Sequence, residues 1–410
     1  MLTRKLTYLA ASLLFLFSAC SSDKDQSQAN PFASIEIPAL LDRAPEIRYE
    51  KEWEMIQNAY AKYLYQIRQG EEPEEGLLRM AQLFTMEART SGEHGHYYPG
   101  ALKILDILLQ KEDLSDDLRF MALSTQAGVQ LSQHDFSQGL KTGQEAVKMN
   151  PYNAQIYGVL VDASVELGQY EQAVSYADQM VAIRPDLRSY SRVSYLREIY
   201  GRPEGAVEAM LMAVSAGAPG SEESAWTRLK LGELYQHYGE LAKARATFEQ
   251  ILAERPDYPF AIAALAHLDM EAGDLQAAEA KLDRACKIIP EFSFYEQLAL
   301  IYKKTGREEA AQEKIQEVLL MLEDDVLNGH NMNLEYAKLY SDLLNDQDQA
   351  LKYAQNEYQL RPDNITVNLL LADIYHARGE MDLARQHIDK ASVTNSKDPE
   401  LLAIAAEIKS

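Results

Sequence analysis

The chain has 410 residues, of which 47% are hydrophobic, 25% charged and 9% aromatic, a composition typical of a folded protein and not of a disordered or collagen-like one. Its 40 basic and 63 acidic side chains give a formal net charge of −23. That balance argues against a nucleic-acid partner, which needs a basic stripe for its phosphates, and gives no support for binding along an anionic membrane surface.

Residues 1–19 have the organisation of an export signal. Arg4 and Lys5 form a basic start, and an apolar run follows from Leu6 to Phe17. That run is shorter than the roughly 20 residues that a helix needs to span a bilayer. Phe17 stands where an ordinary signal peptidase needs a small residue. The segment resembles a bacterial lipoprotein signal, which implies cleavage before Cys20 and lipidation of Cys20; the alternatives are a simple exported protein or an uncleaved anchor.

Residues 20–49 are predicted to form a flexible polar tether. Ser, Asp, Lys and Gln dominate its start, and Pro31, Pro38 and Pro45 interrupt the rest, so the segment is too polar and too broken for a core. The membrane would then be contacted only through the N-terminal lipid.

The residue after Cys20 bears on which membrane holds the protein. In Gram-negative lipoproteins an Asp at that place resembles an inner-membrane retention signal, and this chain has Ser21 there. We therefore predict outer-membrane residence on the periplasmic side. Asp23 and Asp25 resemble the acidic export patch of some surface-exposed lipoproteins, which leaves display at the cell surface as the alternative.

From Trp53 onward the apolar residues recur at helical spacing without an alternating β-branched run, which predicts an all-α fold. A repeat is also present, in which a Gly is followed five positions later by an Ala, at intervals of 33 to 39 residues. The pairs are Gly168/Ala173, Gly201/Ala206, Gly239/Ala244, Gly273/Ala278, Gly306/Ala311 and Gly379/Ala384, and Asn345/Ala350 fits the same frame.

This period resembles that of the tetratricopeptide repeat. The clearest unit runs from Trp226 to Pro256, in which Leu231, Gly232, Tyr235, Gly239, Ala244 and Phe248 fall on the family pattern. The resemblance implies a right-handed α-solenoid superhelix of helical hairpins. In physical terms, the Gly ends the first helix with positive φ, the Ala lies where two helices cross closely, and a Pro closes the second helix.

The predicted organisation has three folded parts. Residues 50–118 form degenerate N-terminal helical hairpins with an inserted loop around Gly92 to Gly100, residues 119–396 form the repeat array, and residues 397–410 form a C-terminal capping helix. Within the array, the unit at 330–362 departs from the pattern, because Asn345 replaces the turn glycine and Lys338 stands where a small residue is expected.

Catalytic motifs are absent from the sequence, which predicts a non-enzymatic protein without a cofactor. We find no phosphate-binding loop, no nucleophile elbow, no His-Glu-x-x-His motif and no cysteine pair at zinc spacing. His94 and His96 could offer metal ligands from a loop, but no partner is evident, so we interpret them as solvated loop histidines and predict no metal. Cys286 is interpreted as a small core residue.

One basic, aromatic patch stands out in this acidic chain. Arg188, Arg192 and Tyr195 belong to one unit, and Trp226 and Lys230 occupy matching positions of the next. In the tetratricopeptide family these positions line the concave groove. The patch resembles the basic half of the carboxylate clamp of chaperone-binding members, although the clamp's asparagines are missing. We predict a peptide-binding centre for a carboxylate-bearing segment.

The alternative for these arginines is a structural one, in which they pair with nearby carboxylates and bind no ligand. The available partners are Glu198, Glu222, Glu223 and Glu233. For the whole protein the sequence predicts an envelope scaffold or adaptor for protein–protein interaction. A substrate-binding or regulatory module for an envelope hydrolase or a glycan is the second reading, and an enzyme with an unrecognised site is the third.

Overall fold

Helix pairs follow one another along the described part of the chain, residues 30–409 of the computed structural model. These residues contain no strand, and the all-α prediction is confirmed. The helices are α1 (Glu50–Gln69), α2 (Pro73–Ser91), α3 (His94–Leu109), α4 (Asp116–Ser132), α5 (Phe136–Met149), α6 (Ala154–Glu166), α7 (Tyr170–Ile183), α8 (Leu187–Ile199), α9 (Pro203–Ala216), α10 (Glu222–His237), α11 (Leu241–Glu254), α12 (Pro259–Glu271), α13 (Leu275–Ile288), α14 (Phe292–Lys304), α15 (Glu308–Leu327), α16 (Asn333–Lys338), α17 (Gln347–Leu360), α18 (Ile365–Ala377), α19 (Met381–Ala391) and α20 (Pro399–Lys409).

Short turns join the helices two by two into hairpins. Eight hairpins, from α4–α5 to α18–α19, form the array, and α1, α2 and α3 precede it. The last helix, α20, packs on α18 and α19. In the departing unit, α16 continues as a π-helical turn at Leu339–Leu343, and its hairpin with α17 still forms. None of the described helices is both long enough and apolar enough to span a bilayer.

The turn residues adopt the backbone that the repeat pattern predicts. Gly239 has a φ of +80°, and Asn345 takes the same left-handed conformation with a φ of +52°. The alanines five positions later are almost fully buried where the two helices of each hairpin cross. Their positions are Ala173, Ala206, Ala244, Ala278, Ala311, Ala350 and Ala384.

The tether prediction is wrong for residues 30–49. Phe32 is buried in the core beneath α1 to α3, and Ile47 packs into the core of the α12–α13 hairpin. Arg43 is only 2% exposed and donates two hydrogen bonds to Glu87, of 2.9 and 2.6 Å, and one of 2.6 Å to Glu52. Pro31 and Pro38 lie in stretches without a helix and Pro45 begins a short 3-10 helix at Pro45–Ile47, but prolines do not prevent a chain from packing. Residues 20–29 and Cys20 lie outside the described residues.

The prediction of a loop around Gly92 to Gly100 is also wrong, because α3 begins at His94. Gly92 ends α2 with a φ of +79°, and Gly95 and Gly100 allow close packing. A Cβ atom on Gly95 would lie 2.6 Å from the amide of Asn328, and one on Gly100 would lie 2.6 Å from Pro38. Gly95 and Gly100 suggested a loop in the sequence, but they mark two close contacts of α3, with Asn328 and with Pro38.

Residues about 195 positions apart in sequence touch one another, so successive turns of the solenoid stack directly. The Gln133 amide donates to the carbonyl of Asn328 at 3.1 Å, and a Cβ on Gly168 would clash with the backbone of Asp363 at 2.4 Å. Each of these contacts joins the turn inside one hairpin to the loop between two later hairpins. This stacking brings residues from distant repeats into common sites.

Candidate functional site

A cavity of about 610 Å³ opens beside the first helices of three successive hairpins, α6, α8 and α10. Four of the five residues predicted from the sequence line it, namely Arg192, Tyr195, Trp226 and Lys230. They meet because side chains three, four and seven positions apart share one face of a helix. Arg188 does not line this cavity.

Local capping fixes where α8 and α10 begin. The side chain of Asp186 accepts hydrogen bonds from the backbone N–H groups of Arg188 and Ser189, and the backbone N–H of Asp186 donates to the Ser189 hydroxyl to complete a capping box. Ser221 caps α10 by accepting from the N–H of Ser224. These caps stabilise the first turns of the two helices whose side chains line the cavity.

Two aromatic side chains give the cavity its apolar contact surface. Tyr195 is 46% exposed and Trp226 is 36% exposed, although both are large and apolar. The Trp226 ring packs edge-on against Phe260, and the ammonium group of Lys230 lies 4.4 Å from its centroid. The tryptophan is therefore held in place from two sides while part of its face stays open.

The basic groups of the patch are already paired. Arg188 forms an ion pair with Glu223, which is one of the partners named by the structural alternative. Arg192 donates from Nε to Asp162 at 2.8 Å, and Lys230 donates to Glu233 at 2.7 Å. Each cation of the patch is therefore neutralised by an internal carboxylate. The patch attracts the carboxylate of a ligand much less than the sequence predicted.

The cavity as a whole is acidic. It contains the carboxyl groups of Asp162, Glu166, Glu198 and Glu233 against two permanent cations. Burial raises the pKa of Glu166 and of Glu198, because a charged carboxylate is poorly solvated there. A cationic or neutral ligand group therefore suits the cavity better than the carboxylate that the sequence suggested.

The far side of the cavity is closed by the C-terminal end of the solenoid. His237 donates from Nε2 to Asp398 at 2.9 Å, which connects α10 to the segment before α20. This hydrogen bond raises the pKa of His237. A second, smaller cavity of about 190 Å³ continues from Tyr195 towards α18 and α20.

The two histidines predicted in a loop lie in α3 and have separate roles. His96 forms a hydrogen bond of 2.8 Å with the carbonyl of Ala39. His94 instead lies near Asp325 and His330, and one ligand atom from each of the three is within 4.8 Å of the others. The interpretation of His94 as a solvated loop histidine is therefore wrong, because it lies in α3 and is partly buried. Sequence inspection found no partner for it, because only the stacking of solenoid turns brings Asp325 and His330 there.

Cys286 behaves as the sequence interpretation expected. It is partly buried against the α12–α13 core, and burial raises its thiol pKa to about 12. A thiol with so high a pKa is a poor nucleophile at neutral pH.

Two family models match the chain, both described as tetratricopeptide repeat, at residues 154–187 and 344–408. The chain carries tetratricopeptide repeats. The first match covers the α6–α7 hairpin on which the cavity is partly built, and the second covers the four helices from α17 to α20.

Two curated relatives share these repeats over part of their length. Small glutamine-rich tetratricopeptide repeat-containing protein 2 of Saccharomyces cerevisiae is 29% identical over 106 residues, which are 26% of this chain and 31% of the relative. Cellulose synthase operon protein C of Pseudomonas fluorescens is 24% identical over 188 residues, which are 44% of this chain and 14% of the relative. The chain thus spans less than a third of either relative.

A solved structure supports the same fold. The Cut9–Hcn1 hetero-tetramer of the APC/C contains a chain that matches with a TM-score of 0.50 and 14% sequence identity. The match covers 88% of this chain and 67% of that chain. At such low identity the likeness concerns the tetratricopeptide solenoid alone.

Proposed function

We propose that this protein is a non-enzymatic scaffold of the bacterial envelope that holds an extended segment of a partner protein in the cavity beside α6, α8 and α10. The observation that carries the proposal is the pair Tyr195 and Trp226, two partly exposed aromatic residues on successive repeats that face one cavity. Buried aromatic anchors supply much of the affinity of peptide-binding grooves at little entropic cost.

The charges of the cavity favour a particular ligand. Its cations are occupied by internal ion pairs, and Glu166 is paired with Arg361. The carboxyl group of Glu198, which lines the cavity together with the aromatic pair, is left for a ligand. A partner segment that presents an apolar or aromatic side chain next to a Lys or Arg would satisfy both features.

Peptide binding to the purified chain tests this proposal. We would measure dissociation constants for extended peptides of one length in acidic, neutral and basic sets, each with an aromatic residue at its centre. The basic set should bind most tightly, and Trp226→Ala should weaken it by about 10-fold or more, as expected for loss of a central aromatic anchor. Tyr152→Ala is the matched control, because Tyr152 is 83% exposed and lies outside the cavity. Equal affinity for all three sets, or no effect of Trp226→Ala, would exclude the cavity as the binding site.

We further propose that Cys20 carries the lipid that holds the protein in the outer membrane, on its periplasmic side. The support is the short apolar run before Cys20, the unsuitable Phe17 for ordinary cleavage and Ser21 after the cysteine. Two acyl chains give durable membrane binding where a single chain does not. Cys20→Ala should move the protein into the soluble fraction or stall its processing, whereas unchanged fractionation and maturation would contradict lipidation.

A further inference from the structure

A cluster of potential metal ligands joins the start of α3 to the end of α15. His94 is the first residue of α3, Asp325 lies in the last turn of α15, and His330 follows that helix. Their nearest ligand atoms all lie within 4.8 Å of one another. Around a tetrahedral Zn²⁺ the same atoms would stand roughly 3.3 Å apart, so side-chain rotations of an ångström or so would bring them together.

The hydrogen bonds of His330 leave one ring nitrogen available. Its Nδ1 lies 3.2 Å from the backbone carbonyl of Asp325, and a carbonyl only accepts, so Nδ1 carries the proton. In the neutral ring, Nε2 then holds the lone pair. This Nε2 is buried without a hydrogen-bond partner among the described residues, although the residue is only 7% exposed. An imidazole with one nitrogen bonded to a carbonyl and the other free is the usual arrangement of a metal-ligating histidine.

The second imidazole is also held in a fixed orientation. The ring of His94 stacks on Tyr98 with their centroids 5.3 Å apart, and Tyr98 in turn lies 5.7 Å from the ring of His330. Both imidazole rings are thus held in fixed orientations, as in a preformed metal site.

Several carboxyl groups lie around the cluster of His94, Asp325 and His330. Among the described residues, no lysine or arginine forms an ion pair with Asp325, and Asp324 and Glu291 lie close to it on the wall of the same cavity. One carboxyl oxygen of Glu335 is also buried with no hydrogen-bond partner in residues 30–409. A bound divalent cation would compensate this local negative charge.

We propose that His94, Asp325 and His330 bind one divalent transition-metal ion, with Zn²⁺ the best match to two imidazoles and one carboxylate. Three protein ligands leave one coordination position for water. His94 and Asp325 line a cavity of about 660 Å³, which gives the ion a route from solvent.

The site would act as a clamp between successive turns of the solenoid. It connects the helices that precede the array to the sixth hairpin, at a place where Gly95 already packs against Asn328. Since an ion that binds only the folded chain stabilises it, zinc should raise the thermal unfolding temperature.

Titration of the purified full chain with zinc chloride, after removal of metal by a chelator, tests the proposal. We expect one Zn²⁺ per chain by calorimetry, a melting temperature several degrees higher with zinc, and no such rise with Mg²⁺, which prefers oxygen ligands. His94→Gln and Asp325→Asn should each weaken zinc binding by about 100-fold or more, since each removes a ligand and not merely its support. Both variants keep side chains of similar size, and circular dichroism checks that they fold.

Two control variants test whether zinc binds at this cluster and not at other potential zinc ligands of the chain. His96→Gln changes the neighbouring histidine, whose ring bonds the carbonyl of Ala39, and Cys286→Ala removes the thiol in the array. Both should bind zinc as the unaltered chain does. Failure of the metal-free chain to bind zinc, or unchanged binding by folded His94→Gln and Asp325→Asn, would overturn the proposal.

Discussion

Arg361 forms an ion pair with Glu166, a residue 195 positions earlier in the chain. Arg361 is 4% exposed and also pairs with Glu357, which is 1% exposed, while its guanidinium lies 4.8 Å from the ring centroid of Phe136. One side chain therefore joins α17 to both the first and the second hairpin of the array. This contact is the most buried charged link between successive turns of the solenoid that we find in residues 30–409.

Arg361→Ala should strongly destabilise the protein. The substitution leaves Glu357 buried without its cation, and removal of one partner from a buried pair costs about 3 to 5 kcal/mol. Urea unfolding measures this loss directly. Arg385→Ala is the matched control, because Arg385 and its partner Asp382 are exposed, at 54% and 95% of their side-chain surface, and such pairs contribute less than about 1 kcal/mol. Similar losses of stability for both variants would show that the buried pairs of Arg361 contribute no more than an exposed surface pair.

Gly239→Ala should destabilise the protein through backbone strain alone. Gly239 has a φ of +80°, and a Cβ atom placed there would meet no atom of the described part of the chain within 4 Å. The left-handed conformation costs an alanine about 1 to 2 kcal/mol. Gly128→Ala is the opposite control, since Gly128 lies inside α4 with equally open space, and alanine there should stabilise by up to about 1 kcal/mol. A loss of stability in both variants would contradict the turn assignment.

The sequence predicts those features of the fold that are local to one repeat. Gly239 and Asn345 mark turns because few residues tolerate positive φ, and Ala244 marks a helix crossing because its small side chain is fully buried there. The first helix of each unit could also be placed, which is why Arg192 and Trp226 were expected to be near each other. Each of these inferences depends on interactions over a few residues.

The features that the sequence did not predict depend on how the repeats rotate along the array. The meeting of His94 with His330, or of Glu166 with Arg361, requires the small rotations between many repeats to add to one full turn. No feature of a single residue in the sequence reveals this accumulated rotation. The pairing of Arg192 with Asp162 was missed for a related reason, because it joins neighbouring hairpins whose relative rotation was not known.

Glu296→Gln should stabilise the protein at neutral and alkaline pH. Burial, reinforced by Asp342 and Glu335, raises the pKa of Glu296 from 4.5 to about 7. The folded chain therefore holds this proton more tightly than the unfolded chain, and the wild type loses stability as the pH rises from about 4.5 to about 7. The glutamine variant lacks this loss, so its advantage should grow over that window and then level off.

Chemical unfolding at a series of pH values measures this difference. Glu249→Gln serves as the control, because Glu249 is exposed on α11 and the described residues show no ion pair for it. Its stability relative to the wild type should not change over the same window. An advantage of Glu296→Gln that shrinks as the pH rises would contradict the assigned direction of the pKa shift.

The proposed role of the cavity is tested most directly by crosslinking inside cells. A photoreactive phenylalanine analogue would replace Tyr195, which faces the cavity, or Tyr152, which is exposed elsewhere on the array. We expect one discrete protein adduct from position 195, its loss when Trp226→Ala is added, and no such adduct from position 152. An absence of adducts at position 195, or the same adducts from both positions whether or not Trp226 is present, would contradict partner binding in this cavity.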